Sequence, residues 1–234
     1  MPSLLLFGAS GAIGGAVAKR FSSEGYSVSS VGRKLPNDCS RDYFEWSGSE
    51  MDIGSFIERL SGSPPFDAIC WAQGTNLNDD IFTVAIDAHR EIYHSNVEYI
   101  ILSLQALLNQ GLVKDGARLC VISSIWQNVT RNNKFSYGIT KSALQSLVLS
   151  LSADLAKNNI LINAVLPGAI DTPMTRQNLT EEQIINIANQ TDHGRLVNLK
   201  DIANAVWMLN SPNNTAVTGN FLTVDLGFSY VKKV

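Results

Sequence analysis

The sequence has little charge and no long run of one sign. Lys and Arg number 18 and Asp and Glu number 21 among 234 residues, which gives a formal net charge of -3. Proteins that bind nucleic acid or anionic membranes usually carry a basic patch. Its absence leaves a small molecule as the expected ligand, with no nucleic-acid or membrane partner.

Cysteine is also scarce. Cys39, Cys70 and Cys120 form an odd set without the spacing of metal ligands, so no metal site is expected. Cys70 and Cys120 lie in apolar, strand-like runs, where we expect them to be buried small side chains.

Long hydrophobic segments are missing as well. No stretch approaches the roughly 20 apolar residues that cross a bilayer. The first seven residues lack a basic region, and Gly8 interrupts their apolar run, so they do not read as a signal peptide. These features favour a cytoplasmic protein.

What the sequence does have is a regular alternation of strand-like and helix-like segments. Apolar runs of strand length occupy residues 4–8, 26–31, 67–72, 118–123, 161–166 and 220–224. Helical periodicity marks residues 13–24, 84–110, 136–157 and 199–209. Continuous apolar runs suit strands that are covered on both faces. We therefore predict an α/β fold: one domain, residues 1–234, with a doubly wound, Rossmann-like parallel sheet and helices on both faces.

A long polar interval, residues 171–195, follows the predicted fifth of these strands. Thr180 precedes Glu181, Glu182 and Gln183 and is placed to cap a short helix. Ligands bind beyond the carboxyl ends of strands in this architecture, so the interval is expected to cover the substrate. A solvated surface excursion is the alternative.

A glycine-rich turn follows the first strand and opens a helix. Gly8, Gly11 and Gly14 allow a tight turn and close backbone approach. The helix start offers free N–H groups and a positive dipole end to a pyrophosphate. This context predicts a dinucleotide site.

The end of the second strand bears on the choice of nicotinamide cofactor. NAD sites usually place an acidic residue there, but this chain has Arg33 and Lys34 and no acid nearby. A guanidinium binds phosphate oxygens in a fork, so Arg33 favours NADP(H), with NAD(H) as the second choice. Alternatively, both cations are ordinary surface charges.

Tyr137 and Lys141 lie four residues apart at the start of a predicted helix, on one face. A fixed cation beside a phenol favours the phenolate, which tunes tyrosine for proton transfer. Such pairs are common by chance, but Ser123 and Ser124 close the preceding strand and Asn96 lies in the helix before it.

Taken together, these features resemble the compact single-domain branch of the short-chain dehydrogenase/reductase family along essentially the whole chain. The matching segments are residues 8–14, 67–74, 96–97, 163–174, 218–219 and 224–227, with Ser124, Tyr137 and Lys141. Ser124 is preferred over Ser123 by the family's spacing to the tyrosine and because adjacent strand residues face opposite sides.

The resemblance implies an oxidoreductase that interconverts a carbonyl and a secondary alcohol by hydride transfer. Tyr137 would be the general acid and base, and Ser124 would orient the reacting oxygen. Lys141 would lower the pKa of Tyr137 and hold the nicotinamide ribose, and Asn96 would anchor a water that relays the proton. The residues implied in cofactor binding are Gly8, Ser10, Gly11, Ile13, Gly14, Arg33, Ala72, Gly74, Tyr137, Lys141, Pro167, Gly168, Ile170 and Thr172.

Three positions depart from the family pattern. Ala12 replaces a glycine, so the spacing also reads Gly8, Gly11, Gly14, as in the larger, epimerase-like branch. Residues 71–74 read Trp-Ala-Gln-Gly in place of paired asparagines, alanine and glycine, which puts the bracing of this turn in doubt. Gly11 stands where NADP-preferring members are often basic, which leaves Arg33 as the main support for that preference.

Trp126 and Gln127 follow Ser124 and are candidate substrate contacts, with Arg176 and His193 in the later polar interval. A pocket lined by these residues favours a polar substrate, either sugar-like or an acidic carbonyl compound. Trp126 packing against a neighbouring subunit and His193 as a plain surface residue are the alternatives.

Two other functions and an assembly are also considered. An NADP(H)-binding sensor without turnover would not need the tuned phenol, and a nucleotide-sugar epimerase or dehydratase would need more chain after Thr172. The helices over 84–110 and 136–157 carry apolar residues, including Leu144, Leu147, Val148 and Leu151, that favour a homo-oligomer, either a dimer or a tetramer.

Overall fold

The computed structural model describes residues 1–33 and 42–231, which form a seven-stranded, all-parallel sheet. Lys34 and Cys39 lie outside the described residues. The strands are β1 (Ser3–Phe7), β2 (Ser27–Gly32), β3 (Tyr43–Glu45), β4 (Phe66–Trp71), β5 (Val113–Ile122), β6 (Leu161–Pro167) and β7 (Phe221–Val224). Their order across the sheet is β3-β2-β1-β4-β5-β6-β7, so the predicted doubly wound architecture is confirmed.

The connections between strands are mostly helical. The helices are α1 (Ala12–Ser23), α2 (Ile53–Leu60), α3 (Ile86–Tyr93), α4 (Tyr99–Asn109), α5 (Phe135–Asp154), α6 (Pro173–Asn178), α7 (Glu181–Ala188) and α8 (Leu199–Asn210). A π-helical turn, His94–Glu98, joins α3 to α4 and accounts for the single helix predicted over residues 84–110. Thr180 caps α7 in a reciprocal capping box with Gln183, as the sequence suggests.

The sheet is covered on both faces, which explains the continuous apolar runs of its central strands. One face packs against α2, α4 and α5 and contains an aromatic cluster of Phe7, Trp46, Phe56, Trp71 and Tyr99. The other face packs against α1 and α8. Cys70 and Cys120 are buried neighbours on β4 and β5, as expected for small apolar side chains.

The strand order reverses between β1 and β4, because β2 follows β1 on one side and β4 pairs with it on the other. Such a reversal opens a crevice beyond the carboxyl ends of the strands. Gly8, Ala72, Ser123 and Gly168 each follow the last residue of a strand at this edge. The same edge therefore brings together segments that are far apart in the sequence.

None of the helices in the described ranges combines the length and the apolar character that spanning a membrane requires.

Candidate active site

Tyr137 lies in the first turn of α5 and is half-buried beside the end of β5. The Ser124 hydroxyl lies beside its phenol, close enough to act on the phenol's pKa. Ser123, the neighbouring candidate, turns inward instead and donates to Oε1 of Gln127 at 2.8 Å. The structure thus brings together Tyr137 and Ser124, the pair that the family spacing selects.

Lys141 reaches the same place from the next turn of α5. Its side chain is buried, Nζ donates to the Ile122 carbonyl at 3.1 Å, and Nζ lies 5.5 Å from the centre of the Tyr137 ring. The helical spacing of four residues places the two groups on one face, as predicted.

The pKa values of this pair are set mainly by burial. Burial raises the pKa of Tyr137 to about 12, although the neighbouring Ser124 hydroxyl acts to lower it. Burial also lowers the pKa of Lys141 to about 8, because a desolvated ammonium is costly. Desolvation is the largest cause of both shifts. The lowering of the Tyr137 pKa by Lys141 stays a prediction.

Asn96 lies in the π-helical turn, buried next to the loop that follows β4. Its Oδ1 accepts from the Thr75 amide at 2.8 Å, and its Nδ2 donates to the Thr75 carbonyl at 3.1 Å and to Oγ1 of Thr140 at 3.0 Å. These bonds support the turn at residues 71–74, whose sequence departs from the family pattern. A Cβ on Gly74 would stand 3.1 Å from Asn96 Oδ1 and 3.8 Å from Lys141 Nζ, so Gly74 keeps this space open.

The glycine-rich turn packs so tightly that two of its glycines admit no side chain. A Cβ on Gly14 would lie 2.2 Å from the Gly8 carbonyl oxygen. Gly8 has φ +79, and a Cβ there would lie 2.6 Å from the Gln73 backbone nitrogen. Gly11, in contrast, is exposed and begins α1 without a side-chain cap. The turn therefore presents bare backbone to the crevice.

These features fit a dinucleotide. The first turn of α1 contains no acidic residue, so its N–H groups and dipole are available to a pyrophosphate. Both side-chain amide atoms of Gln73 are buried without a hydrogen-bond partner among the described residues. An unpaired buried amide costs about 1–3 kcal/mol, which a polar ligand in this crevice would relieve. Ser10, Gly11, Ile13, Ala72 and Gly74 are the predicted contacts along this part of the crevice.

Arg33 follows directly on β2 and is exposed, while the Gly8 amide donates to the Val31 carbonyl at 2.9 Å. Arg33 thus stands near the glycine-rich turn, at the position expected for a ribose phosphate contact.

A cavity of about 660 Å³ opens in front of Tyr137 and Ser124. Ile13 of the glycine-rich turn lines this cavity, as do Pro167, Gly168, Ile170 and Thr172. Gly168 is needed there because a Cβ would stand 2.7 Å from Asp225 Cβ. Helices α6 and α7 contribute further residues, so part of the interval 171–195 does border the cavity.

The predicted substrate contacts are only partly brought together. Trp126 lines the cavity, but Gln127 does not: its side chain is held inside by Ser123. Arg176 points outward, because both its Nε and Nη2 bind the Asp171 carboxylate at 2.8 Å. His193 is exposed, which agrees with the alternative interpretation of it as a plain surface residue.

Sequence reasoning missed the cations that do line the cavity, Arg131 and Lys134. They lie in an irregular polar segment between Trp126 and α5, where no periodicity indicates which side chains turn inward. The one available signal was that Lys134 stands three residues before Tyr137.

Comparison with known proteins adds a family match and close structural neighbours. A family model described as enoyl-(acyl carrier protein) reductase matches residues 64–229. Two solved structures share the fold at a TM-score of 0.90. A short chain dehydrogenase family protein from Francisella tularensis is 23% identical, covering 99% of this chain and 100% of that chain. The ligand-free aldohexose dehydrogenase of Thermoplasma acidophilum is 24% identical, covering 100% and 96%.

Three curated relatives are similar over nearly their whole length. The uncharacterized oxidoreductase YmfI of Bacillus subtilis is 27% identical, covering 96% of this chain and 97% of the relative. The 3-oxoacyl-(acyl-carrier-protein) reductase FabG of Escherichia coli is 26% identical, covering 97% of each. The L-rhamnose 1-dehydrogenase (NADP(+)) of Thermoplasma acidophilum is 26% identical, covering 95% and 94%.

Proposed function

Since the chain belongs to the short-chain dehydrogenase/reductase family, we propose that it is an NAD(P)(H)-dependent oxidoreductase that interconverts a carbonyl and a secondary alcohol, with Tyr137 as general acid and base. The observation that carries the proposal is the placement of the Tyr137 phenol next to the Ser124 hydroxyl, both lining a cavity that also reaches Ile13 of the glycine-rich turn.

The chemistry follows from the protonation of these groups. With its pKa raised to about 12, Tyr137 carries its proton at neutral pH and is ready to donate it to a carbonyl oxygen. The Ser124 hydroxyl holds that oxygen and the phenol in one hydrogen-bonded group. The Lys141 ammonium, 5.5 Å from the ring centre, stabilises the negative charge left on Tyr137. When bound, the nicotinamide supplies or accepts the hydride. The water-anchoring role of Asn96 stays a prediction.

The proposal is tested by turnover on a panel of ketones and secondary alcohols with NADPH, NADH and their oxidised forms. We expect reduction of at least part of the panel. Tight cofactor binding without turnover of any compound would favour the sensor instead.

An epimerase or dehydratase is not favoured by the described part of the chain. After Thr172 it builds only α6, α7, α8 and β7, and β7 completes the same sheet. No separate substrate domain is formed by these residues.

We also propose that the cofactor is NADP(H), because Arg33 lies at the end of β2. Arg33→Ala should weaken NADPH binding by about 10–100-fold and leave NADH binding nearly unchanged, because a charge-assisted bond to the ribose phosphate is lost. Fluorescence titration of both cofactors measures this, with the exposed Arg90→Ala as control. Wild-type protein that binds NADH more tightly than NADPH would contradict the preference.

The pKa values predict how the rate depends on pH. Reduction of a neutral ketone should slow as the pH rises through about 8. Lys141 then loses the positive charge that stabilises the phenolate left on Tyr137 after it donates its proton. Tyr137 itself stays protonated in this range, since its pKa lies near 12. The measurement is kcat at saturating NADPH across pH.

A second lysine beside the ring, Lys134, also has its pKa lowered to about 8, so the same profile is measured in Lys134→Gln. A decline that persists in this variant belongs to Lys141. A wild-type rate that holds constant well above pH 8 would contradict the assignment.

Assembly, lid and location stay predictions. Leu144 and Val148 are buried against the sheet, so they cannot form the proposed subunit contact. Ile101 and Leu149 are 44% and 48% exposed and are better placed on these helices. A monomer by sedimentation would contradict the proposed homo-oligomer, dimer or tetramer. The covering of the substrate by residues 171–195 and the cytoplasmic location stay predictions too.

A further inference from the structure

The cavity wall beside Tyr137 contains a buried cation that the proposed proton transfer does not use. Lys134 is 5% exposed, and its Nζ lies 5.2 Å from the centre of the Tyr137 ring. Two amide oxygens hold the ammonium, Asn76 Oδ1 at 2.6 Å and Asn78 Oδ1 at 2.7 Å. Burying a charge with only neutral partners is costly. The site therefore has an unbalanced positive charge.

Within the described ranges, no carboxylate forms an ion pair with Lys134. Asp79 is the acidic group whose field reaches it, but the Asp79 carboxylate already accepts from the Ser136 amide at 2.9 Å and from the Ser136 hydroxyl. It caps the start of α5 in this way. Burial, and then the charge of Arg131, lower the pKa of Lys134 to about 8, so the protein alone destabilises this ammonium.

Arg131 is a second cation on the same wall. Its guanidinium lies 5.6 Å from the centre of the Trp126 ring, and it is exposed at the cavity mouth. The described residues that line the cavity include these two cations and no Asp or Glu. Two like charges facing one cavity repel each other, and an anionic ligand between them would remove that cost.

We propose that Lys134 and Arg131 form an anion subsite and that the substrate is a small oxo acid, a compound with a carboxylate close to its reacting carbonyl. The inference rests on the proposed function for the reaction and names its substrate class. Because the ammonium stands next to the Tyr137 ring, the anion and the carbonyl belong to one compact molecule.

The donors available at Lys134 favour a carboxylate over a phosphate. An ammonium has three N–H groups, and Asn76 and Asn78 accept two of them. One N–H remains for the ligand, which suits a single carboxylate oxygen. A neutral sugar can accept hydrogen bonds from these cations but does not balance their charge. This wall therefore favours the acidic member of the two polar classes that the sequence suggested.

Matched acids and esters test the subsite by activity. Wild-type protein should reduce acetoacetate and pyruvate at least about tenfold better, in kcat/KM, than their methyl esters. Lys134→Gln should lower kcat/KM for the acids by about 10–100-fold and change the ester values by less than about threefold. Arg131→Gln should show a smaller loss of the same kind. Lys200→Gln, an exposed lysine of α8, serves as the control and should behave as wild type.

A binding measurement separates this inference from the proposed reaction. Malonate should quench or shift the fluorescence of Trp126, which lines the cavity beneath Arg131, and dimethyl malonate should not; Trp126→Phe identifies the responding residue. Malonate binding should weaken about tenfold or more in Lys134→Gln. If Lys134→Gln does not fold, Arg131→Gln and the wild-type acid and ester comparison still decide.

Equal rates on acids and esters, together with no response to malonate, would overturn the anion subsite while leaving carbonyl reduction intact. Malonate binding that depends on Lys134, in a protein that turns over no compound, would support the subsite and remove the proposed reaction.

Discussion

Replacing Tyr137 with Phe should lower kcat for carbonyl reduction by about 10²–10⁴-fold, the usual contribution of a positioned general acid. Phenylalanine keeps the ring and its packing but removes the hydroxyl that lies beside Ser124. The proton then has no donor at the reacting oxygen. The measurement is the initial rate of NADPH consumption with any ketone that the wild type reduces.

Further measurements test whether the loss of rate lies in the proton-transfer step itself. Tm of Tyr137→Phe should stay close to wild type, because the ring and its packing remain. NADPH should still bind, because the other residues implied in cofactor binding are unchanged. Ser124→Ala should show a smaller loss of rate, since Tyr137 still carries the proton. A Tyr137→Phe variant with nearly full activity would remove Tyr137 from the mechanism.

Replacing Gly14 with Ala should destabilise the protein by about 1–3 kcal/mol or more and weaken NADPH binding at least about tenfold. The added Cβ would lie 2.2 Å from the Gly8 carbonyl oxygen and 2.8 Å from the Ala9 Cα. Both are backbone atoms, so α1 or the turn has to move. Either movement displaces the N–H groups that are expected to face the pyrophosphate. Denaturant unfolding and a cofactor titration measure the two effects.

The next residue of the same helix is the matched control. A Cβ on Gly15 would meet only the Ala9 carbonyl oxygen, at an ordinary 3.7 Å. Gly15→Ala should therefore be neutral or stabilise the helix by up to about 1 kcal/mol. Equal behaviour of the two variants would mean that close packing of the turn does not explain the role of Gly14.

The fold was predictable because its central strands are buried on both faces and its main helices are amphipathic. Strand β3 and helix α2 were missed, since β3 has three residues and α2 follows an irregular segment. The helix over residues 84–110 was predicted as continuous, and its π-helical turn at Asn96 gave no signal in the apolar periodicity. Hydrogen bonds to Thr75 and Thr140, remote in sequence, fix that turn.

The candidate site was predictable where a spacing or a strand end fixes position, as for Tyr137, Lys141 and Ser124. It was not predictable where an irregular segment decides which side chains face the cavity. Arg176 was the expected pocket cation, but an ion pair with Asp171 draws it outward. Lys134 is turned inward by two asparagines nearly 60 positions away. The effect of burial on the pKa of Tyr137 likewise depends on packing, which the sequence does not show.

The most direct test of this account is a crystal structure of the wild-type protein with NADP⁺ and an unreactive carboxylate analogue of an oxo acid. We expect one ligand oxygen within about 3.2 Å of both Tyr137 Oη and Ser124 Oγ, next to the nicotinamide ring. A nicotinamide bound away from this cavity, or a ligand oxygen out of reach of Tyr137, would contradict the assignment of this phenol as the proton donor.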